Sequence, residues 1–575
     1  MTGILLSDKT MINRIFTNLF SNILKYGDKG TPVIIRSSVR KQRFTVTVSN
    51  AIKQEHSDVG SSNIGLRNVQ RMMQMMDGEM LLTKKTNSSH WAVAFLATLT
   101  YGAVAVPIQH EFTPDQIHNI VNHSDSKLLF VGDIVKTQIT PDAMPGLEGI
   151  VYLPDFSIVV ARTEKLVFAR EHLNEIFGQR YPKYFRKEHV HYYKEQSPEE
   201  LAMINYTSGT TGFSKGVMLP YRAIWGNLDH ILKCLSPNVK PGSNLVSILP
   251  MAHMYGLAVE FLFGFIGGCH IYFLNRLPSP SLIAEAFAEV KPRLIVAVPL
   301  VVEKIIRRKV LTEVQTSRMK ILLNMPVISK KIKQHIRERI MQAFGGNAFE
   351  IIVGGAPLNQ GIEKFLNDVG VPVTIGYGTT ETAPLITFAN YDKYRISSCG
   401  PAVEHMEVKV DSPDPANKPG ELITRGTNVM LGYYKNEKAT QEVIDSDGWF
   451  HTGDLATMSP DGYFYIKGRK KNMLLGANGQ NVYPEEIEDK LNNLPLVGES
   501  IIIQRGNRLI ALVHPEQEDK DAMDFDDNDV QGVMDENLKT LNSQLPPFCK
   551  VSAIEIHKEE FQKTAKKSIK RYLYK

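Results

Sequence analysis

The sequence predicts an α/β fold built on mostly parallel sheets, and three observations carry that reading. Helical stretches alternate with β-branched runs, namely KLLFVG (127–132), NLVSILP (244–250), HIYFL (270–274), RLIVAVP (293–299) and FEIIVGG (349–355); strands alternating with helices imply parallel pairing. A hydrophobic fraction of 43% against 22% charged residues is a globular balance and excludes global disorder. A length of 575 residues exceeds one ordinary domain, so several are expected.

The elements can be justified in order. Residues 11–26, MINRIFTNLFSNILKY, place Asn18 and Asn22 on one helix face with Lys25 and leave the opposite face apolar. Two strand-like runs follow, PVIIRSS and RFTVTVSN, joined by a polar turn at Arg40-Lys41-Gln42. SSNIGLRNVQRMMQMMDGEM then reads as a glycine turn opening a helix that ends at Asp77-Gly78. Trp91 to Ile108 is uncharged and as long as a minimal membrane span, but Tyr101-Gly102 divides it into a short helix and a strand, AVAVPI. Leu257 to Leu274 is similar, interrupted by Glu260 and His270. Ser329 to Ile340, SKKIKQHIRERI, is a basic amphipathic helix whose cations form a solvated face or a surface for peripheral contact with anionic membrane. Glu516 to Glu536, acidic and poor in aromatics, reads as a flexible surface insertion.

Composition narrows the function. The four cysteines, Cys234, Cys269, Cys399 and Cys549, are scattered and form no C-x-x-C pair, which argues against a disulfide scaffold or zinc site and for a reduced, cytoplasmic compartment. MTGILLSDKT has no basic n-region and is not a signal peptide. A net charge of +5 over this length gives no reason to expect nucleic acid.

The strongest chemical signal is Tyr206-Thr-Ser-Gly-Thr-Thr-Gly-Phe-Ser-Lys-Gly216, directly after the apolar run LAMINY. Glycines let the backbone turn its N–H groups toward an anion, the hydroxyls add donors, and Lys215 supplies a point charge. This is a phosphate-binding loop, and the Walker pattern does not fit it. Gly376-Tyr377-Gly378-Thr379-Thr380-Glu381-Thr382 supplies one carboxylate, which suits Mg²⁺ on a triphosphate because such an ion takes only one or two protein carboxylates. In Asp447-Gly448-Trp449-Phe450-His451-Thr452-Gly453-Asp454 a carboxylate follows a glycine turn; Asp454 can accept two hydrogen bonds from the vicinal hydroxyls of a ribose. Gly468-Arg469-Lys470-Lys471-Asn472 then begins a basic segment leading into a glycine-rich turn and a helix start at Pro484.

Together and in this order, these motifs resemble the adenylate-forming superfamily over residues 87–575, and DGWFHTGD…GYFYIKGRKKN is most similar to its long-chain fatty acid–CoA ligases. The resemblance implies an adenylation domain of stacked, mostly parallel sheets over 86–470, lacking its first segment, and a small mobile α+β lid over 471–575. It implies an AMP-forming acid–thiol ligase that activates a fatty acid with ATP and Mg²⁺ and passes the acyl group to CoA. Thr207, Ser208, Gly209, Thr210, Thr211 and Lys215 would hold the β- and γ-phosphates. Gly355, Ala356, Pro357 and Tyr377 would frame the adenine, and Thr380 would contact the α-phosphate. Glu381 would bind Mg²⁺, while Asp454 and Arg469 would hold the ribose. His253, in LPMAHMYG, matches a position near the acyl site, and a satisfied core histidine is the competing reading. Lys471 matches the hinge about which the lid turns between half-reactions.

Two departures stand out. The family's adenylation lysine belongs to a T-x-x-G-K loop, whereas here Thr564-Ala565-Lys566-Lys567-Ser568 puts Ser568 at that position. Lys567, one residue earlier, is the expected substitute, its side chain being long and flexible. Residues 1–85 resemble instead the ATP-binding domain of sensor histidine kinases, with Asn22 at the Mg-ligating position and Gly65 in the nucleotide-lid turn. That family's D-x-G-x-G box is absent, Ser49-Asn50-Ala51 standing in its place. The change of character near Leu82–Asn87 leads us to expect a chimeric reading frame, so a chimera that binds ATP with little turnover is the alternative to an active ligase.

Overall fold

The computed structural model describes residues 34–40, 43–49, 89–109, 112–180, 197–207, 215–274, 279–306, 326–475, 480–506, 508–516, 525–563 and 569–574. The chain divides into two compact units, Met1–Gln196 with Phe273–Pro278, and Ser197–Tyr272 with Ser279–Lys575. The first helix, the glycine turn that follows the early hairpin and the junction near Leu82–Asn87 lie outside the described residues.

In the first unit, β1 (Ile34–Arg40) and β2 (Arg43–Ser49) form the expected hairpin, closing at Arg40 opposite Arg43. Helix α1 (Ser89–Tyr101) buries Ala92, Ala94 and Phe95 and stops where Gly102 takes φ +83°, a conformation open to glycine. The expected strand after it is reduced to a single bridge at Ala105. Helix α2 (Pro114–His123) starts with a capping box: Gln116 Oε1 accepts the Thr113 N–H at 2.9 Å, and Thr113 Oγ1 accepts the Gln116 N–H. Strands β3 (Leu128–Val131), β4 (Gly149–Tyr152) and β5 (Ser157–Ala161) form a small mixed sheet flanked by α3 (Glu164–Arg180).

The second unit opens with β6 (Leu201–Thr207) and β7 (Lys215–Pro220), antiparallel, then α4 (Tyr221–Leu235). A five-stranded sheet follows, built from β8 (Asn244–Ser247), β9 (His270–Phe273), β10 (Leu294–Ala297), β11 (Glu350–Val353) and β12 (Val373–Ile375) in the order β12-β11-β10-β8-β9. Its β8, β10, β11 and β12 are parallel, as the alternating pattern predicts. Helices α5 (Pro280–Val290), α6 (Pro326–Ala343) and α7 (Gln360–Asp368) accompany it. The basic helix expected at 329–340 is α6; Ile336 and Ile340 are buried while Lys330, Lys331, Arg337 and Arg339 face solvent.

Beyond β12 the strands of this part pair antiparallel. β13 (Tyr377–Gly378) and β14 (Leu385–Thr387) pair antiparallel. β15 (Met406–Asp411), β16 (Gly420–Gly426), β18 (Phe450–Met458) and β19 (Phe464–Arg469) make an antiparallel sheet in the order β15-β16-β18-β19, and β17 (Gly432–Tyr433) joins β7. The connections from β15 to β16 and from β18 to β19 are too short for a crossover helix, which permits only antiparallel pairing, whereas residues 427–449, with β17 and a short helix at Glu437–Gln441, separate β16 from β18. The C-terminal part has its own core, with Val482, Ile487, Leu491, Ile502, Ala511 and Val551 buried together. It contains α8 (Pro484–Leu491), β20 (Val497–Arg505), β21 (Arg508–Pro515), α9 (Asp527–Ser543) and β22 (Val551–Ile556). From Asp527 on, helix α9 replaces the expected flexible insertion: Val530, Met534 and Leu541 recur on one face and are buried despite the acidic composition around them, while residues 517–524 lie outside the described residues. No helix among the described residues is long and apolar enough to cross a membrane.

Between β8 and β9 the chain forms a π-helix, Gly256–Leu262, followed by one α-turn. Its Glu260, 1% exposed, accepts hydrogen bonds from Ser247 Oγ (2.9 Å) and from the Ile248 and Leu249 amides (2.9 and 3.2 Å), capping the end of β8. Burial pushes its carboxyl up from 4.5 to about 8, against the pull of those three bonds. Because the folded value lies above the unfolded one, this group's contribution to stability is complete below the unfolded pKa and is lost as pH rises toward 8. Glu260→Gln, which cannot ionise, should flatten the fall of Tm between about pH 5 and pH 9. An unchanged slope would assign that fall to other groups.

Candidate functional site

The carboxyl ends of the parallel strands organise the site, as in open α/β sheets generally. Gly355-Ala356-Pro357 leaves β11 exposed to solvent, with Gly355 at φ +85°. Tyr377 leaves the neighbouring β12. Thr380 and Glu381 follow on a single 3₁₀ turn, Thr380–Thr382, Thr380 being buried. That turn is held from behind. Asn227 of α4 donates to the Thr382 carbonyl (3.0 Å) and accepts the Leu385 N–H (2.8 Å), and the Met430 N–H bonds the Glu381 carbonyl (2.9 Å).

Asp454 and Arg469 stand directly opposite each other on β18 and β19, so sheet register alone brings them together. Arg469 Nε lies 2.7 Å from Asp454 Oδ1, and the Tyr377 hydroxyl donates to Asp454 Oδ2 at 2.5 Å. Asp454 is 4% exposed, whereas the Arg469 side chain is 51% exposed at the mouth of the site. Burial pushes the Asp454 carboxyl above its usual value; Arg469 and the Tyr377 hydroxyl pull it down. Burial and the adjacent Asp454 carboxylate push the Tyr377 phenol well up, so it stays a donor. Glu381 lies within electrostatic reach of both Asp454 and Arg469.

The phosphate-loop motif joins β6 to β7, and its two ends, Thr207 and Lys215, face each other in register. Ser208, Gly209, Thr210 and Thr211 lie outside the described residues. Lys215 Nζ sits 4.4 Å from the centroid of the Tyr433 ring, a cation–π contact. The Tyr433 hydroxyl donates to Glu381 Oε1 at 3.0 Å. A single carboxylate beside hydroxyls and a lysine is a donor set that fits a Mg²⁺ ion carried by phosphate.

His253 belongs to the β8 side. Asn205 of β6 donates to the Ala252 carbonyl (3.0 Å), and His253 Nδ1 accepts the Tyr255 N–H (3.3 Å). The Tyr255 hydroxyl reaches the Ala297 and Ile352 carbonyls at 3.3 and 3.0 Å, and its ring packs against Gly354, whose Cβ would stand 3.0 Å from it. The histidine segment is thereby anchored to β6, β10 and β11 at once.

Lys471 stands between two clamps. Lys470 Nζ binds Glu421 Oε2 of β16 at 2.9 Å, while Asn472 donates to Glu485 Oε1 of α8 at 2.7 Å. Glu421 also accepts the Gly453 N–H (3.1 Å), next to Asp454. Burial, then the neighbouring cations Arg469 and Lys215, lower the pKa of the Lys471 ammonium, with Asp454 opposing. Lys567 lies outside the described residues, in the stretch closed by an antiparallel bridge between Lys563 and Ile569. Tyr433, Glu421, Asn205 and Tyr255 escape the sequence reading. Only the glycine-aromatic run LGYYKN hints at Tyr433, and its partners are far away in the chain.

Comparison with known proteins gives the family of the chain. The family described as AMP-binding enzyme matches residues 78–434, and the AMP-binding enzyme C-terminal domain matches 471–574. The chain is 30% identical over 430 residues to a rat long-chain-fatty-acid–CoA ligase 5, covering 70% of this chain and 62% of that protein, less than two thirds of its length. It is 30% identical over 457 residues to a long-chain-fatty-acid–CoA ligase of Escherichia coli O6:H1, covering 75% and 74% of the two chains. In fold it is similar to ATP-bound MatB from Rhodopseudomonas palustris, at TM-score 0.64 and 23% identity over 85% of this chain and 86% of that one. The first match starts at residue 78 and so runs across the expected seam near Leu82–Asn87. The histidine-kinase-type reading of residues 1–85 gains no support, since a hairpin between two helical patterns occurs in many α/β proteins. The chain belongs to the AMP-binding enzyme family.

Proposed function

We propose that this protein is an AMP-forming ligase that activates a long-chain fatty acid with ATP and transfers the acyl group to CoA. The observation that carries this reading is the meeting of Tyr377, Asp454 and Arg469 beside Glu381 at the carboxyl ends of the parallel strands. The fatty carboxylate attacks the α-phosphate, the bond to pyrophosphate breaks, and an acyl-adenylate remains; the thiol of CoA then displaces AMP. Such chemistry asks a protein for alignment and charge neutralisation rather than covalent help.

In this reading Asp454 accepts the ribose hydroxyls while Arg469 and Tyr377 hold its carboxylate in place. Gly355, Ala356, Pro357 and Tyr377 frame the adenine, and Thr380 meets the α-phosphate. Thr207, Ser208, Gly209, Thr210, Thr211 and Lys215 cradle the β- and γ-phosphates, and Lys567 supplies the cation for adenylation. Glu381 would hold Mg²⁺, which when bound neutralises phosphate charge. His253 lies toward the acyl chain. A chimera that binds ATP with little turnover is not favoured, because the family match crosses the suspected seam unbroken. The exposed cations of α6 offer a peripheral membrane contact for a cytoplasmic enzyme.

Pyrophosphate release from ATP with palmitate, with and without CoA, tests the reading. Release dependent on palmitate, and acyl-CoA dependent on CoA, are expected; no palmitate-dependent release would overturn it. The hinge has its own test. With Lys470 tied to β16 and Asn472 to α8, backbone rotation concentrates at Lys471. Lys471→Pro should leave pyrophosphate release near the wild-type rate and slow acyl-CoA formation roughly tenfold or more. Equal loss of both half-reactions would reject the assignment.

A further inference from the structure

Glu381, on the 3₁₀ turn, and Lys215, at the start of β7, share a neighbour. Tyr433 is 6% exposed and lies on β17, where it pairs with Val217 of β7. Its hydroxyl is 3.0 Å from Glu381 Oε1, and its ring lies 4.4 Å beneath Lys215 Nζ. The backbone around it is fixed on both sides. The Tyr433 N–H bonds Thr440 Oγ1 at 2.8 Å, the Tyr434 N–H bonds the Gly216 carbonyl at 2.8 Å, and the Leu431 N–H bonds the Met218 carbonyl at 2.9 Å. Gly432 precedes it at φ +139°, where an added Cβ would stand 2.7 Å from Thr440 Cγ2. The ring is therefore held at a set distance from the end of the phosphate-loop strand.

We propose that Tyr433 is a positioning residue for the metal–nucleotide site, fixing the orientation of the Glu381 carboxylate through its hydroxyl and seating the Lys215 ammonium on its ring. This rests on the ligase reading above and deepens it. A carboxylate with one oxygen tied to a phenol has its other oxygen aimed, and a fixed carboxylate reorganises less when a hard cation arrives with the triphosphate. One side chain thereby spaces an anion and a cation that must act on the same polyphosphate.

Two variants separate its two contacts. Tyr433→Phe keeps the ring under Lys215 and removes the bond to Glu381, whereas Tyr433→Leu removes both. The purified full chain is titrated with ATP by calorimetry, in EDTA and across a Mg²⁺ series. Pyrophosphate release is followed against Mg²⁺ in parallel, and thermal melting checks that each variant is folded. In the wild type Mg²⁺ should tighten ATP binding. Tyr433→Phe should blunt that tightening and raise the Mg²⁺ needed for half-maximal release, each roughly tenfold, with metal-free ATP affinity unchanged. Tyr433→Leu should in addition weaken metal-free ATP binding. Wild-type Mg²⁺ dependence in Tyr433→Phe would overturn the proposal, as would equal weakening with and without metal. Failure of the wild type itself to bind ATP would remove the ligase reading, and the proposal with it.

Discussion

Glu381→Gln is expected to cut palmitate-dependent pyrophosphate release by roughly 10²–10³-fold. The substitution is nearly isosteric and keeps an oxygen that can accept from the Tyr433 hydroxyl, so the 3₁₀ turn and its supports, Asn227 and the Met430 amide, stay in place. What disappears is the negative charge. An amide is a poor ligand for a hard cation, and the charge that builds on the departing pyrophosphate is then neutralised less well. The loss should appear mainly in kcat and should be partly recovered at high Mn²⁺. A change smaller than about threefold would move the metal site elsewhere.

Asp454→Asn should lower kcat/KM for ATP about 10²-fold, equivalent to about 3 kcal/mol, the scale of losing charge-assisted hydrogen bonds at a buried group. The substituted amide places donors toward the Arg469 guanidinium, itself a donor only, and leaves one uncharged oxygen in place of two charged ones to accept from Tyr377 and the ribose hydroxyls. The loss should fall on ATP and spare KM for the fatty acid. It should also be smaller when 2′-deoxy-ATP is the substrate, because the contact removed by mutation is already weakened in that nucleotide. An equal loss with both nucleotides would reject the ribose role of Asp454 and leave it a structural one.

Much of the strand pattern is legible in sequence. The strands KLLFVG, NLVSILP, HIYFL, RLIVAVP and FEIIVGG all form, because each is a short apolar run bounded by turn or helix-start residues. Tyr377, Thr380, Glu381, Asp454 and Arg469 are legible because glycines and a hydroxyl run mark local backbone conformations that few other sequences need. The antiparallel sheet from Met406 to Arg469 is not, since alternation between helix and strand does not say how strands without crossover helices pair. Helix α9 was hidden by its acidic surface, its buried face resting on Val530, Met534 and Leu541.

The sequence by itself determined the order of the candidate motifs: a run of hydroxyls and glycines, a turn with one carboxylate, an aspartate after a glycine turn, a basic segment. Each is a local pattern whose meaning survives without neighbours. Only the tertiary structure decided how these patterns act on one another. Asp454 meets Arg469 because β18 and β19 pair them in register, beyond a bulge at Leu455/Ala456, and a slip of either strand by one residue would put the two side chains on opposite faces. Glu381 meets Tyr433, Lys470 meets Glu421, and Glu260 caps the end of β8 through contacts between segments that packing alone brings together. Contacts at such separations follow from burial and register, which one side chain's identity does not encode.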